Sequence, residues 1–216
     1  MLKKLFYAVA TLAACAAALL CGCYNGGQFT AGSYTTKEGG VESVVIDVSD
    51  RAVELSVAET EVATAEYWQS ESEYYDITFS EGTLTIRLVL DKTWTDYIGT
   101  KPAEEYRQLK VIIPQGVAQV TVKTTNEQLK ISGVEAETLA AENNGGNIVV
   151  EGSGADAVSL TVKNGNISGA VCGTYEDYAI TCNIKKGESN LASKPEGQKK
   201  LSLDCNNGDI SLSFVG

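Results

Sequence analysis

The stretch VSLTVKNGNI, residues 158–167, decides the fold. Val158, Leu160 and Val162 alternate with Ser159, Thr161 and Lys163, the period of a strand that buries one face. Asn164-Gly165 then marks a tight turn, because Asn and Gly tolerate positive φ at low cost, and Ile167 opens a second apolar run. The phrase recurs as VTVKTTN from Val120, LAAENNGG from Leu139, YAITCN from Tyr178 and LSLDCNNG from Leu201, so that successive copies start 19, 19, 20 and 23 residues apart. Each has its own second run, at Ile131, at Ile148 and Val150, at Leu191, and at Ile210 and Leu212.

Two arrangements fit this pattern. Asn-Gly between alternating runs signals an antiparallel hairpin. A fixed period of about twenty residues signals a solenoid, in which a unit too small to bury its own apolar face stacks on a copy of itself. Whole units match column by column, which favours the second, and the expected fold is an all-β, parallel β-solenoid with less regular N-terminal strands. Gly146, Gly165, Gly187 and Gly208 then share one corner, and Asn144, Asn164 and Asn207 can exchange side-chain hydrogen bonds up the stack. Cys182 and Cys205 fall in one column of consecutive units, which leaves open a disulfide or two buried thiols. Cys172 lies in a linker without a clear partner.

With 216 residues, 44% of them hydrophobic, the chain can bury a core without help from metal. The formal charge of −11 argues against a nucleic-acid partner, since that affinity rests on Lys and Arg. No histidine is present, which removes the commonest general base and metal ligand. The chain begins MLKK, continues apolar from Leu5 to Leu20 except for Thr11, and reaches Cys21-Gly22-Cys23. That is the layout of a secretory signal. Leu20-Cys21-Gly22-Cys23 is similar to the lipobox of bacterial lipoproteins, which implies cleavage after Gly22, lipidation of Cys23 and an extracytoplasmic position anchored to a bacterial membrane; a simple signal peptide and a retained anchor are the alternatives. The expected organisation is a signal peptide over 1–22, a Gly/Thr/Ser-rich tether over 23–40, and one domain over 41–216, irregular over 41–115 and regular over 116–216.

From Val41 short alternating runs continue, interrupted longest at residues 91–108. Trp94 and Tyr97 in that interruption, with Trp68 before it, are a candidate aromatic surface for a glycan or another protein; capping of the core is the plainer role. Asp91 with Asp96 and Glu104 with Glu105 pair carboxylates, but nothing holds them across a cleft, and they read as solvated surface. The phrase from Asn143 to Val149 faintly matches a calcium-binding nonapeptide, with Asn where Asp is needed, so structural turns are expected instead. Zinc lacks a C-x-x-C and a histidine. No catalytic residue, metal or cofactor is expected.

The order Val44-Val45-Ile46-Asp47-Val48, Ala52-Val53-Glu54-Leu55, Gly82-Thr83-Leu84-Thr85-Ile86, Leu109 to Pro114 and repeated NG(N/D)I phrases resembles the bacterial putative adhesins, a domain family of otherwise unknown function related to the head domain named for its Gly-Ile-Asn signature. The resemblance covers roughly Gly40 to Phe214. It implies an extracytoplasmic β-solenoid on a lipoprotein or membrane anchor, and carries no catalytic residues. The expected function is therefore non-enzymatic binding of an envelope or extracellular ligand, protein or glycan. An accessory domain that assembles with envelope proteins is the alternative, and a carboxylate-based glycan hydrolase a more distant one.

Overall fold

The computed structural model describes residues 28–37, 39–91 and 101–216. Among them the protein is all-β, with strands joined in one 15-stranded sheet that wraps a single core. Alternation dictates this. Every odd-numbered core position of the repeated phrase turns inward, and the strands lie side by side in step.

The strands of the first face are β2 (Ser43–Asp47), β5 (Glu73–Ser80), β6 (Thr83–Leu90), β8 (Gln119–Thr124), β10 (Glu135–Asn143), β13 (Tyr178–Ile184) and β14 (Lys199–Asn207). Those of the second are β1 (Thr30–Thr35), β3 (Ala52–Ala58), β4 (Thr64–Gln69), β7 (Gln108–Pro114), β9 (Leu129–Ser132), β12 (Ile167–Cys172) and β15 (Ile210–Val215). β11 (Ile148–Asn164) belongs to both: its first part pairs with β9 and β12, its second with β10 and β14, and the register slips between Glu151 and Ser153 where it turns.

Two columns of the first face run Leu84, Val44, Val120, Leu139, Val158, Leu201 and Ile86, Ile46, Val122, Ala141, Leu160, Leu203. Opposite them stands Leu109, Val53, Leu129, Ile148, Ile167, Ile210. All of these are buried. Each Val, Leu or Ile among them contributes about 1.5–3 kcal/mol by leaving water, and one register slip would turn the whole set outward.

Charges reinforce that register on the outer surfaces. Lys110 lies between Glu66 and Glu54 on neighbouring strands, Glu54 faces Lys130, and Lys130 reaches Glu151 at 3.0 Å. On the first face Asp76, Arg87, Asp47 and Lys123 alternate in the same way, and Lys123 reaches Glu142 at 3.2 Å. Each exposed pair is worth little alone, about 0–1 kcal/mol, but opposite charges in adjacent places disfavour a shifted pairing.

The stack departs from the expected fold in three ways. It is not purely parallel: β1 and β4, β4 and β7, and β5 and β6 pair antiparallel. For β5 and β6 a short turn forces this, because a parallel neighbour needs a crossover: Glu81-Gly82, with φ of 50° and 71°, closes them as a two-residue hairpin. β2 and β3, in the half expected to be less regular, nevertheless pair in step with β8 and β9, Ile46 opposite Val122 and Leu55 opposite Ile131. Finally, Thr30–Thr35, within the stretch read as a tether, pairs along its whole length with β4.

Spatial order and chain order differ at both ends. β2 and β3 lie inside β6 and β7, although they come first; β14 lies inside β13 and β15 inside the Ser189 bridge, although they come last. Leu139 and Val158 are adjacent as expected, but Leu201 stands next to Val158 and Tyr178 is placed beyond Leu201. The start of the C-terminal strand is thereby covered by an earlier segment, through the Ser189–Ile210 bridge and the Asn190 side chain on Leu212.

At the Asn-Gly corner, the expected asparagine contacts form. Asn207 donates its amide to Asn164 Oδ1 at 3.4 Å, and Asn164 donates to the Asn144 carbonyl at 3.4 Å. A stronger ladder stands two or three residues later in each phrase. The Asn166 amide donates to Asn147 Oδ1, the Asp209 amide to Asn166 Oδ1 and the Glu188 amide to Asp209 Oδ1, each at 2.8 Å. It follows the spatial order of the rungs, 147, 166, 209, 188.

Candidate functional site

The corner opposite the Asn-Gly ladder is built differently. There the chain passes from the second face to the first through Gly116-Val117-Ala118, through Val134 and Glu135, through Gly154-Ala155-Asp156 and through Cys172-Gly173, and these segments line a cleft of about 460 Å³ with Lys199 at its end. Its apolar neighbours are fixed by the core: Val117, Val134, Ala155 and Tyr178 are all buried. Its polar groups are Glu135 and Glu137 from one rung, Asp156 from the next and Lys199 from the one beyond, the carboxylates all exposed.

Tyr178 anchors the far wall. Its phenol donates to the Cys172 carbonyl at 2.8 Å, and burial raises its pKa above the ordinary tyrosine value. Asp177 holds the turn before it by accepting the Thr174 amide at 2.7 Å, and that hydrogen bond keeps its carboxyl below the usual range. Burial, then the nearby Glu135 charge, push the Cys172 thiol up, with Lys199 opposing. A thiol held protonated is a poor nucleophile. The cleft thus offers three carboxylates, one ammonium and backbone groups, an arrangement suited to holding a polar ligand with positive charge. Sequence reading passed over it because Glu135, Glu137 and Asp156 lie in no motif; they meet only when consecutive rungs stack.

The residues singled out from sequence do not converge. Cys23, Trp94 and Tyr97 lie outside the described residues. Trp68 stands on the outer side of β4, half-buried, and meets Tyr106 edge-on with centroids 5.2 Å apart; Phe29 stacks on Tyr106 at 5.1 Å. Tyr106 lies in a short 3-10 turn, Glu104–Arg107, so these rings fasten that turn and the entry to β1 onto the sheet. Glu104 and Glu105 are exposed in that turn.

Cys182 and Cys205 are free thiols, and they do not share a column. Cys182 lies opposite Leu203, and Cys205 opposite Ile184, because β13 is the outer rung and sits two residues out of the expected step. The phrase that faintly matches a calcium loop has its side-chain oxygens engaged: Asn143 Oδ1 accepts the Gly145 and Gly146 amides at 3.3 and 3.0 Å, and Asn147 Oδ1 the Asn166 amide at 2.8 Å. No cluster of three or more metal-ligating side chains occurs among the described residues. None of their helices is long and apolar enough to cross a membrane.

Residues 41–216 match the family described as Toastrack DUF4097. No curated protein sequence gives a significant match. Among solved structures, a "putative cell adhesion protein" from Clostridium sporogenes aligns with a TM-score of 0.63 at 9% identity, over 87% of this chain and 100% of that one. A "putative adhesin" from Bacteroides fragilis gives 0.35 at 10% identity over 87% and 97%. A "putative lipid binding protein" from Parabacteroides distasonis gives 0.31 at 10% identity over 89% and 98%. At such identities the first likeness speaks to fold, and the other two are too distant to carry an argument.

Proposed function

The chain belongs to the Toastrack DUF4097 family, and from that premise we propose that it is a non-enzymatic, envelope-attached binding protein whose solenoid-like body holds a polar ligand in the corner cleft. The observation that carries this reading is the cleft itself, where Glu135 and Glu137 from one rung and Asp156 from the next stand together on a rigid scaffold. Stacked strands position side chains at fixed intervals, which suits recognition of an extended ligand better than rearrangement around a reacting one. The printed name of the Clostridium sporogenes protein suggests adhesion as the biological setting. The lipobox-like Leu20 to Cys23 supports attachment by lipid at Cys23, outside the cytoplasm.

The ligand class follows from charge. Three carboxylates against one lysine favour a ligand bearing amines, either a basic protein segment or an amino-sugar polymer. The test is binding of the full chain, and of a Glu137→Gln/Asp156→Asn variant, to isolated cell-wall polymer and intact cells at low and high salt. Binding that weakens at least tenfold in the variant and falls with salt supports the reading. Equal binding by both proteins would remove the cleft from consideration.

A further inference from the structure

One end of the stack is open. Its outermost strands are β5 on the first face and β1 on the second. β4 and β5 are joined by the short turn at Ser70–Ser72 and stand at one level, so β1 projects a rung beyond. Tyr34, Tyr67, Ile77 and Phe79 are packed against the core here but remain only partly buried.

The projecting edge is unpaired on its outer side among the described strands. Thr36 donates its amide to the Ala63 carbonyl at 3.0 Å, which fixes the phase of the antiparallel ladder: Gly32 and Tyr34 turn their backbone groups to β4, and Ala31, Ser33 and Thr35 turn theirs outward. β1 carries no charge, no proline and no bulge, the devices that normally blunt an edge.

The other end is sealed. Lys194 exchanges both backbone hydrogen bonds with Ile180 (2.8 and 2.9 Å), Ser193 Oγ accepts the Cys182 amide at 2.9 Å, and the Asn190 side chain takes the Leu212 amide and carbonyl at 3.0 and 2.7 Å. An open edge therefore has no complement at the opposite end of another copy. It does have one in itself.

We propose that two copies of this chain pair through β1, antiparallel about a two-fold axis with Ser33 facing the second copy's Ser33. In that register Gly32 of each copy lies opposite Tyr34 of the other, repeating a device already present, where the Tyr67 ring lies over Gly32. The two tyrosines then fill the space between the open ends, beside Ile77 and Phe79. The nearest carboxylates on this face, the Glu66 pair beside the two serines, are separated by three strand spacings, about 14 Å, beyond the screening length of about 8 Å in physiological salt. The pairing is isologous and closed, so it stops at two.

The experiment measures the mass of the full chain in mild detergent by sedimentation across a concentration series, for the wild type, Ser33→Lys, Ser33→Glu and an equal mixture of those two variants. Ser33 is exposed, so each variant keeps the fold, and like charges meet only if the serines face one another. Expected are two chains per particle for the wild type, one for each variant alone and two again for the mixture. Hydrogen exchange gives a second reading: the Ala31, Ser33 and Thr35 amides are slow in the dimer and fast in either lone variant. A wild type of single-chain mass throughout, or a dimer indifferent to both charges, would overturn the proposal.

Discussion

Gly208 lies against Gly165 so closely that a Cβ on Gly208 would stand 2.0 Å from the Gly165 carbonyl oxygen. Gly208 also has φ of 144°. Gly208→Ala therefore meets both backbone strain and a collision with immovable main chain, and should cost about 3 kcal/mol or more. Gly152, with φ of 53° and nothing within 4 Å of an added Cβ, isolates the strain alone. Gly152→Ala should cost about 1–2 kcal/mol. Urea unfolding midpoints compare the two; equal losses would mean that the close approach at the corner contributes nothing.

A buried ion pair closes the core near the open end. Arg51 and Glu73 bond to each other with side chains 1% exposed, tying the β2–β3 corner to the start of β5. Glu73→Gln leaves the guanidinium buried beside a neutral group, and the expected loss is about 3–5 kcal/mol. The double change Arg51→Met/Glu73→Leu should cost less than either single one, because no charge remains to be desolvated. If the double variant is the least stable in denaturant titration, the pair is a net source of stability and not a device for specificity.

The central rungs were legible because one rule governs them. Period-two alternation and a repeat near twenty residues place Val120 beside Leu139 and Leu139 beside Val158, and the Asn-Gly phrases fix the corner. What escaped is the order of the end rungs. Nothing local in Tyr178 to Ile184 says that Leu201 will insert between it and Val158; that choice depends on the loop of residues 185–198, long enough to carry the chain out and back. The cleft was invisible for a related reason: its carboxylates are ordinary surface residues until a neighbouring rung brings them together. Asn147, Asn166 and Asp209, by contrast, were visible as a recurring Gly-Asn/Asp phrase, and only their role as stacked acceptors was missed.

Tyr75 sets an alkaline limit. Burial, against the opposing Arg51 guanidinium beside it, pushes its phenol up to about 12 from the ordinary 10.0. An unfolded chain ionises this tyrosine near 10 while the folded one holds its proton. The stability linked to it is complete below pH 10 and is lost as pH rises toward 12, by about 2–3 kcal/mol in all. Tyr75→Phe should flatten that part of the profile. Denaturation between pH 8 and 12 checks this; parallel profiles for the two proteins would sink it.

Cys182 and Cys205 should stay reduced under conditions that oxidise exposed thiols. Being one strand apart and two residues out of step, their Cα atoms are separated by about 8 Å, from a strand spacing of about 4.8 Å and a rise of about 3.3 Å per residue. A disulfide tolerates at most about 6.8 Å. Cys205 is buried, with its sulfur against the Gly208 carbonyl at 3.2 Å, whereas Cys182 is partly open beside Ser189 Oγ at 3.3 Å. Alkylation of the native protein should therefore label Cys182 well before Cys205, which becomes reactive only on unfolding. Peptide mapping after mild oxidation reads the outcome directly: a cross-linked Cys182–Cys205 peptide would show that β13 can slide by two residues into the step that the repeat spacing alone predicts.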